Sequence, residues 1–319
     1  MAKEIAKVLI YGDLHLCSKN YGAHMSYPKE SLMYLKKLTG LVEKLGITHL
    51  IGCGDLSFGR FTTLEYRLQV EDELEKQYNM VKGNRWEVKG NHDKATYGLT
   101  EYEYYVQRGL LKPSEILQIG NVNINMVDYG EYDNTDVKID ESSTNLLITH
   151  GYFKFSSTQL PPYGEPLVLD YYEKWYGMDY IISGHIHNEH VLKGIMIKDN
   201  ISHDVLVHYL PCLSRPAYME NMIRDIGHVD MFTILDNGET ILEPVDIELL
   251  PIEESFNMAV KKSRQEHMDN IHIDVSDVVK RLSEHKQTIG NPEDIIMGKE
   301  DIDLRYRKKA IELLHEAMA

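Results

Sequence analysis

Cysteine is scarce here and widely spread: Cys17, Cys53 and Cys212 form no CxxC pair. Two of the three fall in or beside strand-like runs. That argues against a disulfide framework or a zinc knuckle and predicts buried free thiols in a reducing compartment. Long apolar runs are missing as well. No stretch reaches bilayer length, and the opening Met-Ala-Lys-Glu-Ile-Ala-Lys leads into a strand without the apolar core of a signal peptide. The expectation is a cytoplasmic protein with no membrane partner. Basic blocks are also absent: 34 Lys+Arg stand against 50 Asp+Glu, a formal net charge of −16. Proteins that grip nucleic acid through its phosphates normally show a basic face, so this balance counts against tight, nonspecific DNA binding by the chain alone. With only 10 prolines and 43% hydrophobic residues in 319, the chain suits one large α/β domain with an appendage, or two domains, around a substantial core.

What the sequence does contain is a series of strand-like runs, each ending in residues that bind metals. Lys7 to Tyr11 is a continuous apolar run of the kind buried in parallel sheets. It ends in Gly12-Asp13-Leu14-His15, and period-two geometry puts Asp13 and His15 on one side of an extended chain, where they can chelate one ion. Pro28 then opens a helix carrying Leu32, Leu35, Leu38, Leu41, Val42 and Leu45, which stops at Gly46 and serves core packing. A second run, His49 to Cys53, delivers Gly54-Asp55. An aspartate can give one oxygen to each of two cations, as a dinuclear site would require. Leu64 to Tyr78 reads as a charged amphipathic helix, and Trp86 to Lys89 brings the chain to Gly90-Asn91-His92-Asp93. Asn91 offers a neutral metal-binding oxygen. Its neighbour His92 diverges from it and is free to trade a proton with a substrate.

The segment Tyr97 to Lys112 is tyrosine-rich and predicts either a packed short helix or an aromatic surface for stacking bases. Val122 to Val127 alternates as a half-buried strand, and Gly130 to Ser143 is an acidic loop. Asn145 to Thr149 is a buried strand ending at His150-Gly151. Ser156 to Pro166 is a proline-rich loop that could cover a substrate, and Leu167 to Tyr176 looks helical. Tyr180 to Ser183 then leads into Gly184-His185-Ile186-His187, with two imidazoles expected on one face of an extended segment. The other histidines, among them His208 and His228, follow no strand-end pattern and read as ordinary core or surface residues.

The ordered set DxH, GD, GNHD, H and GHxH resembles the calcineurin-like metallophosphoesterase superfamily over roughly residues 7–250. The resemblance implies an α/β fold, a four-layer αββα sandwich over 1–250 with a helical extension over 251–319. It implies two divalent ions, one held by Asp13, His15, Asp55 and His187, the other by Asp55, Asn91, His150 and His185. Asp93 would orient a neighbouring ligand or His92, and His92 would act as the acid. This donor mixture suits manganese first, then iron, over all-oxygen magnesium sites. Such a pair activates water for attack on a phosphoester, and activity should fall below about pH 6 as ligand histidines protonate.

The ending Leu210-Pro211-Cys212-Leu213-Ser214-Arg215, followed by the glycine-led strand from Gly227, is similar to SbcD-type DNA repair nucleases and phage recombination endonuclease subunits. That likeness implies a DNA exo- or endonuclease in which Arg215 contacts substrate or locks the loop below the metals. GNHD in place of GNHE, with no GDxxDRG string, argues against a serine/threonine protein phosphatase. A small-molecule or cyclic-nucleotide phosphodiesterase is the alternative, and it would tolerate the acidic surface. After Leu250 the chain reads as short charged helices, Ser255 to Glu266, Asp274 to His285 and Asp301 to Ala319. These either fold back or dock on an SbcC-like coiled-coil ATPase. DNA and a second copy of the chain complete the expected partners.

Overall fold

Apolar residues at both faces make β1 (Glu4–Tyr11) a buried strand: Val8, Leu9, Ile10 and Tyr11 are all fully covered. The computed structural model describes residues 2–20, 24–94, 98–155, 167–169, 173–199, 201–214, 226–257 and 311. After β1 come α1 (Tyr27–Leu45), β2 (His49–Gly52), α2 (Leu64–Met80), β3 (Arg85–Glu87) and α3 (Glu101–Gln107). Then follow β4 (Ile116–Ile119), β5 (Val122–Val127), β6 (Thr144–His150), β7 (Phe153–Lys154), β8 (Leu167–Val168) and β9 (Tyr180–Gly184). Two long hairpins close the series: β10 (His190–Lys198) with β11 (Ile201–Tyr209), and β12 (Ile226–Leu235) with β13 (Thr240–Glu248). The chain divides into two compact units, Met1–Met258 and Ala259–Ala319, and the elements named here lie in the first.

The strands form two main sheets, a five-stranded one in the order β13-β12-β1-β2-β3 and a six-stranded one in the order β10-β11-β9-β6-β5-β4. Strands β1, β2 and β3 run parallel, as do β5, β6, β9 and β11. Parallel strands need crossovers, and α1 and α2 supply them on the first sheet. Three cores result. One packs α1, α2 and α3 on the first sheet, through Leu35, Leu38, Val70, Leu74 and Tyr105. A second fills the space between the sheets, through Val8, Ile10, Ile51, Val88, Ile124, Leu146 and Ile182. The third covers the outer face of the second sheet with Tyr132, Phe153, Trp175 and Met178. The fold is thus a mixed α/β sandwich of two sheets with flanking helices. No described helix is long and apolar enough to cross a membrane.

Two local expectations change. β5 is buried at all six positions, although its alternating asparagines suggested a wet face. Asn123 instead donates to Asn145 Oδ1 (3.1 Å), and Asn125 donates to the Lys138 carbonyl (3.0 Å) while accepting from the Lys138 amide (2.6 Å). Asn125 is thus paired through both its nitrogen and its oxygen, and a paired amide can be buried at modest cost. Leu167 to Tyr176 is not a helix in its described parts: β8 pairs with β7, and Glu173–Trp175 is a single 3-10 turn that seats Trp175 in the third core. Tertiary burial of one large aromatic overrides the local helical pattern here.

Below the strand ends lies a buried polar network that the sequence did not announce. Arg85 donates from Nη2 to Tyr11 Oη (3.0 Å) and from Nε to Gln77 Oε1 (2.9 Å), while Tyr11 hydrogen-bonds to Glu87. Burial pushes the Glu87 carboxyl up to about 8, against the opposing pull of Arg85. The folded chain therefore keeps a proton that the unfolded chain loses above about pH 4.5. The associated stability is full below that pH and drains away as pH rises through 8. Glu87→Gln should remove this slope: relative to wild type the variant should gain a few kcal/mol, by order of magnitude, between pH 5 and 9. Parallel urea-melt stabilities across that range would refute it.

Candidate metal centre

Each predicted donor follows the C-terminal end of a parallel strand, and both sheets end at the same edge. Asp13 and His15 follow β1, Asp55 follows β2, Asn91 and His92 follow β3, His150 closes β6, and His185 and His187 follow β9. This is the edge at which open α/β sheets present their chemistry. The local backbone is not the extended one expected. His15, Asp55, His185 and His187 all adopt positive φ (46°, 52°, 84° and 63°). For non-glycine residues this conformation costs free energy and recurs where function dictates side-chain direction.

The turn after β9 therefore sends its two imidazoles apart. His187 Nε2 lies 2.9 Å from His15 Nε2 and 3.2 Å from Asp13 Oδ2. His185 Nδ1 lies 2.9 Å from Asn91 Oδ1 and 3.2 Å from His150 Nε2. Between these two clusters sits Asp55, whose Oδ2 is 3.3 Å from His150 Nε2 and 3.9 Å from His15 Nε2. Its Oδ1 accepts the His92 backbone amide at 2.8 Å. Among the described residues, three donor groups have ligand atoms within 4.8 Å of one another: Asp13/His15/His187, His15/Asp55/His92 and Asp13/Asp55/His150.

The electrostatics favour cation binding. Burial alone would neutralise Asp13 and Asp55, but His150 and the other imidazoles outweigh it and keep both carboxyls below their ordinary range. Burial lowers the His15 imidazole to about 3 and that of His185 to about 4, so both are neutral and offer lone pairs. His150 Nδ1 faces the Cys53 carbonyl at 2.9 Å, an atom that can only accept, so Nε2 is the nitrogen left to bind a cation once it gives up its proton. Burial opposes charge on His150, yet Asp55 and Asp13 raise it to about 9, so an arriving cation must displace a proton there. Ionised carboxylates, the neutral imidazoles of His15 and His185 and one amide oxygen fit divalent ions.

Glycines next to the donors make room for them. A Cβ on Gly90 would stand 2.1 Å from Asp55 Oδ1, and one on Gly184 would stand 2.2 Å from Asp13 Oδ1.

Asp93 is buried. It accepts the amides of Gly90 (3.0 Å), Leu56 (3.3 Å) and Ser57 (3.3 Å), which clamps the Asp55 and Asn91 turns together. Burial and the charge of Asp55 raise its carboxyl to about 7. His92 sits exposed at the rim, its ring 5.2 Å from that of His15 and 4.5 Å from that of Phe58. Partial desolvation lowers its pKa against the pull of Asp55. Arg215 and the proline-rich loop 156–166 lie outside the described residues, as do Tyr97 and most of the charged C-terminal segment.

Three contributors carry no motif. Tyr132, from the acidic loop, donates to the His150 carbonyl at 2.6 Å. Phe58 borders His15 and His92 on one side, and Tyr129 borders His150 and His185 on the other (ring centroids 5.9 and 5.8 Å). Tyr129 also carries Lys94 Nζ over its ring at 5.1 Å. Only their position just after β2 and β5 hinted at this.

The family model described as calcineurin-like phosphoesterase matches residues 6–189. No curated protein matches the chain. Among solved structures, a dimetal phosphatase from Danio rerio is 10% identical, with a TM-score of 0.42, and the match covers 78% of this chain and 100% of that one. A phosphoesterase from E. coli, Yfce, is 14% identical with a TM-score of 0.35, covering 76% of this chain and 100% of that one.

Proposed function

Because the chain belongs to the calcineurin-like phosphoesterase family, we propose that it is a divalent-metal-dependent phosphodiester hydrolase that cuts DNA, a nuclease subunit of the SbcD type. The observation that carries the hydrolase reading is the pair of donor clusters sharing Asp55 beside the rim imidazole of His92. Asp13, His15, Asp55 and His187 would hold one ion, and Asp55, Asn91, His150 and His185 the other. The donor mixture suits manganese before iron or magnesium. When bound, such a pair neutralises phosphate oxygens and activates water for in-line attack. The protein's own groups do the rest. Asp93 holds two donor turns in register, and Tyr132 fixes the His150 carbonyl. His92 at the rim would give a proton to the leaving alkoxide, a role typically worth about 10²–10⁴-fold.

Support for DNA comes from the Ser214-Arg215 ending and from the rim. Phe58 and Tyr129 flank the cluster with aromatic faces on which bases could stack. Arg215 would contact the substrate. The net charge of −16 favours the second reading, a small-molecule or cyclic-nucleotide phosphodiesterase. Metal-stripped protein reloaded with manganese should cleave linear duplex or single-stranded DNA faster than a cyclic nucleotide or a bis-aryl phosphate. Activity on the small esters alone would overturn the nuclease assignment and leave the hydrolase. For the charged segment 251–319 we propose docking on a coiled-coil ATPase partner, tested by pull-down with and without those residues.

A further inference from the structure

The imidazole of His15 has no hydrogen-bonded brace behind it. Its Nε2 faces His187 Nε2 (2.9 Å) and Asp13 Oδ2 (3.6 Å), while its Nδ1 is buried with no hydrogen-bond partner among the described residues. Metal-binding histidines usually donate that second ring N–H to an acceptor, which fixes how the ring points. The rings of Phe58 and His92 lie edge-on to His15, at 5.5 and 5.2 Å, and supply no such acceptor. The His15 backbone is also left-handed, with φ at 46°. The direction of this ring therefore depends on how the backbone of its turn is held.

The amide side of the turn is tied to the Asp55 loop: His15 donates to the Asp55 carbonyl and Leu16 to the Leu56 carbonyl, both at 2.9 Å. Two buried hydroxyls hold the carbonyl side. Tyr27 Oη, on the first residue of α1, donates to the His15 carbonyl at 2.9 Å, and Ser214 Oγ donates to the Leu14 carbonyl at 2.5 Å. The two hydroxyls lie 2.8 Å apart, so one linked pair holds both carbonyls. Burial pushes the Tyr27 phenol well above its ordinary range, and it stays a donor. The backbone leading to Ser214 adds two more ties, from the Leu213 amide to the Asp13 carbonyl (2.9 Å) and from the Cys212 amide to the His187 carbonyl (3.1 Å). Asp13, His15 and His187 are one donor group, and all their turns are held from this side. The other cluster has its own hydroxyl, that of Tyr132 on the His150 carbonyl at 2.6 Å.

We propose that Tyr27, acting with Ser214, is a positioning residue for the metal centre, setting the affinity of the ion held by Asp13, His15 and His187 and not that of its neighbour. This rests on the two-ion reading given above. The hydroxyl pair takes the place of the missing acceptor at His15 Nδ1, because it fixes through the backbone what other ligand histidines fix through the ring. Without it the left-handed turn can relax, and the ring swings away from the position it shares with His187.

The test is manganese binding by full-length protein, stripped with chelator, dialysed against a series of manganese concentrations and analysed for metal per chain. Tyr27→Phe removes the hydroxyl but keeps the ring, which packs 4.8 Å from His24. It should weaken one of the two binding steps about 10-fold, the lower end of what losing a ligand's outer partner costs, and leave the other step in place. Ser214→Ala should weaken the same step. In a His185→Ala background, which keeps the Asp13/His15/His187 group intact, Tyr27→Phe should again weaken binding; in a His187→Ala background it should change nothing. Tyr132→Phe should give the reverse pattern. Loss of general stability would weaken both steps alike, and matching metal-free melting curves check for it. Both steps weakened equally, or neither, would overturn the positioning role while leaving the two-ion reading standing. Wild-type protein that binds no manganese would overturn both.

Discussion

Asp55→Ala is expected to lower phosphodiester hydrolysis at least about 10³-fold and to strip most bound metal from the centre. The expectation rests on geometry. Asp55 belongs to two of the three donor groups, its Oδ2 lies between His150 and His15, and its Oδ1 anchors the His92 amide. Losing an outer partner of a metal ligand typically costs about 10–100-fold, and losing a carboxylate shared by two ions should cost more. Asp55→Asn separates the contributions. The amide can still accept the His92 N–H, so the loop should hold, but it cannot offer two anionic oxygens. Metal content and turnover of a bis-aryl phosphate should therefore fall together in Asp55→Asn while its fold persists. Retention of both ions in Asp55→Ala would remove Asp55 from the centre. Wild-type affinity should also climb with pH towards 9, since the raised pKa of His150 makes a proton compete with the cation.

How far the sequence reached follows from what each residue depends on. Strand ends were legible because continuous apolar runs such as Lys7 to Tyr11 and Asn145 to Thr149 can hardly be anything but buried strands. The donors follow them directly. Side-chain direction was not legible. Period-two reasoning put His185 and His187 on one face, but left-handed backbone at both turns them towards different neighbours. Asp93 was expected to orient a neighbouring ligand or His92; which loop it would brace was not legible, because the amides that its oxygens accept come from two loops and no single motif shows which loops will adjoin. Tyr11, Arg85 and Glu87 lie 76 residues apart at the extremes and meet only because β1, β2 and β3 pair in parallel.

His92→Ala is expected to keep both ions and lose about 10²–10⁴-fold in turnover, the usual contribution of a positioned general acid. Two placements compete for this residue. It stands close enough to His15 and Asp55 to join a donor group, and it stands exposed at the rim, where a leaving group would depart. The rim position and the contact with Phe58 favour proton transfer, because a buried ligand would not leave its ring against an aromatic edge open to solvent. The two roles leave different signatures. A ligand's loss lowers metal content and turnover together for every substrate. An acid's loss spares metal content, and the deficit shrinks when the leaving group is a good one, since a nitrophenolate needs no proton to depart. Comparing a bis-nitrophenyl phosphate with an alkyl phosphodiester in His92→Ala should therefore show a much larger loss on the alkyl ester. Equal losses on both, accompanied by missing metal, would make His92 a ligand.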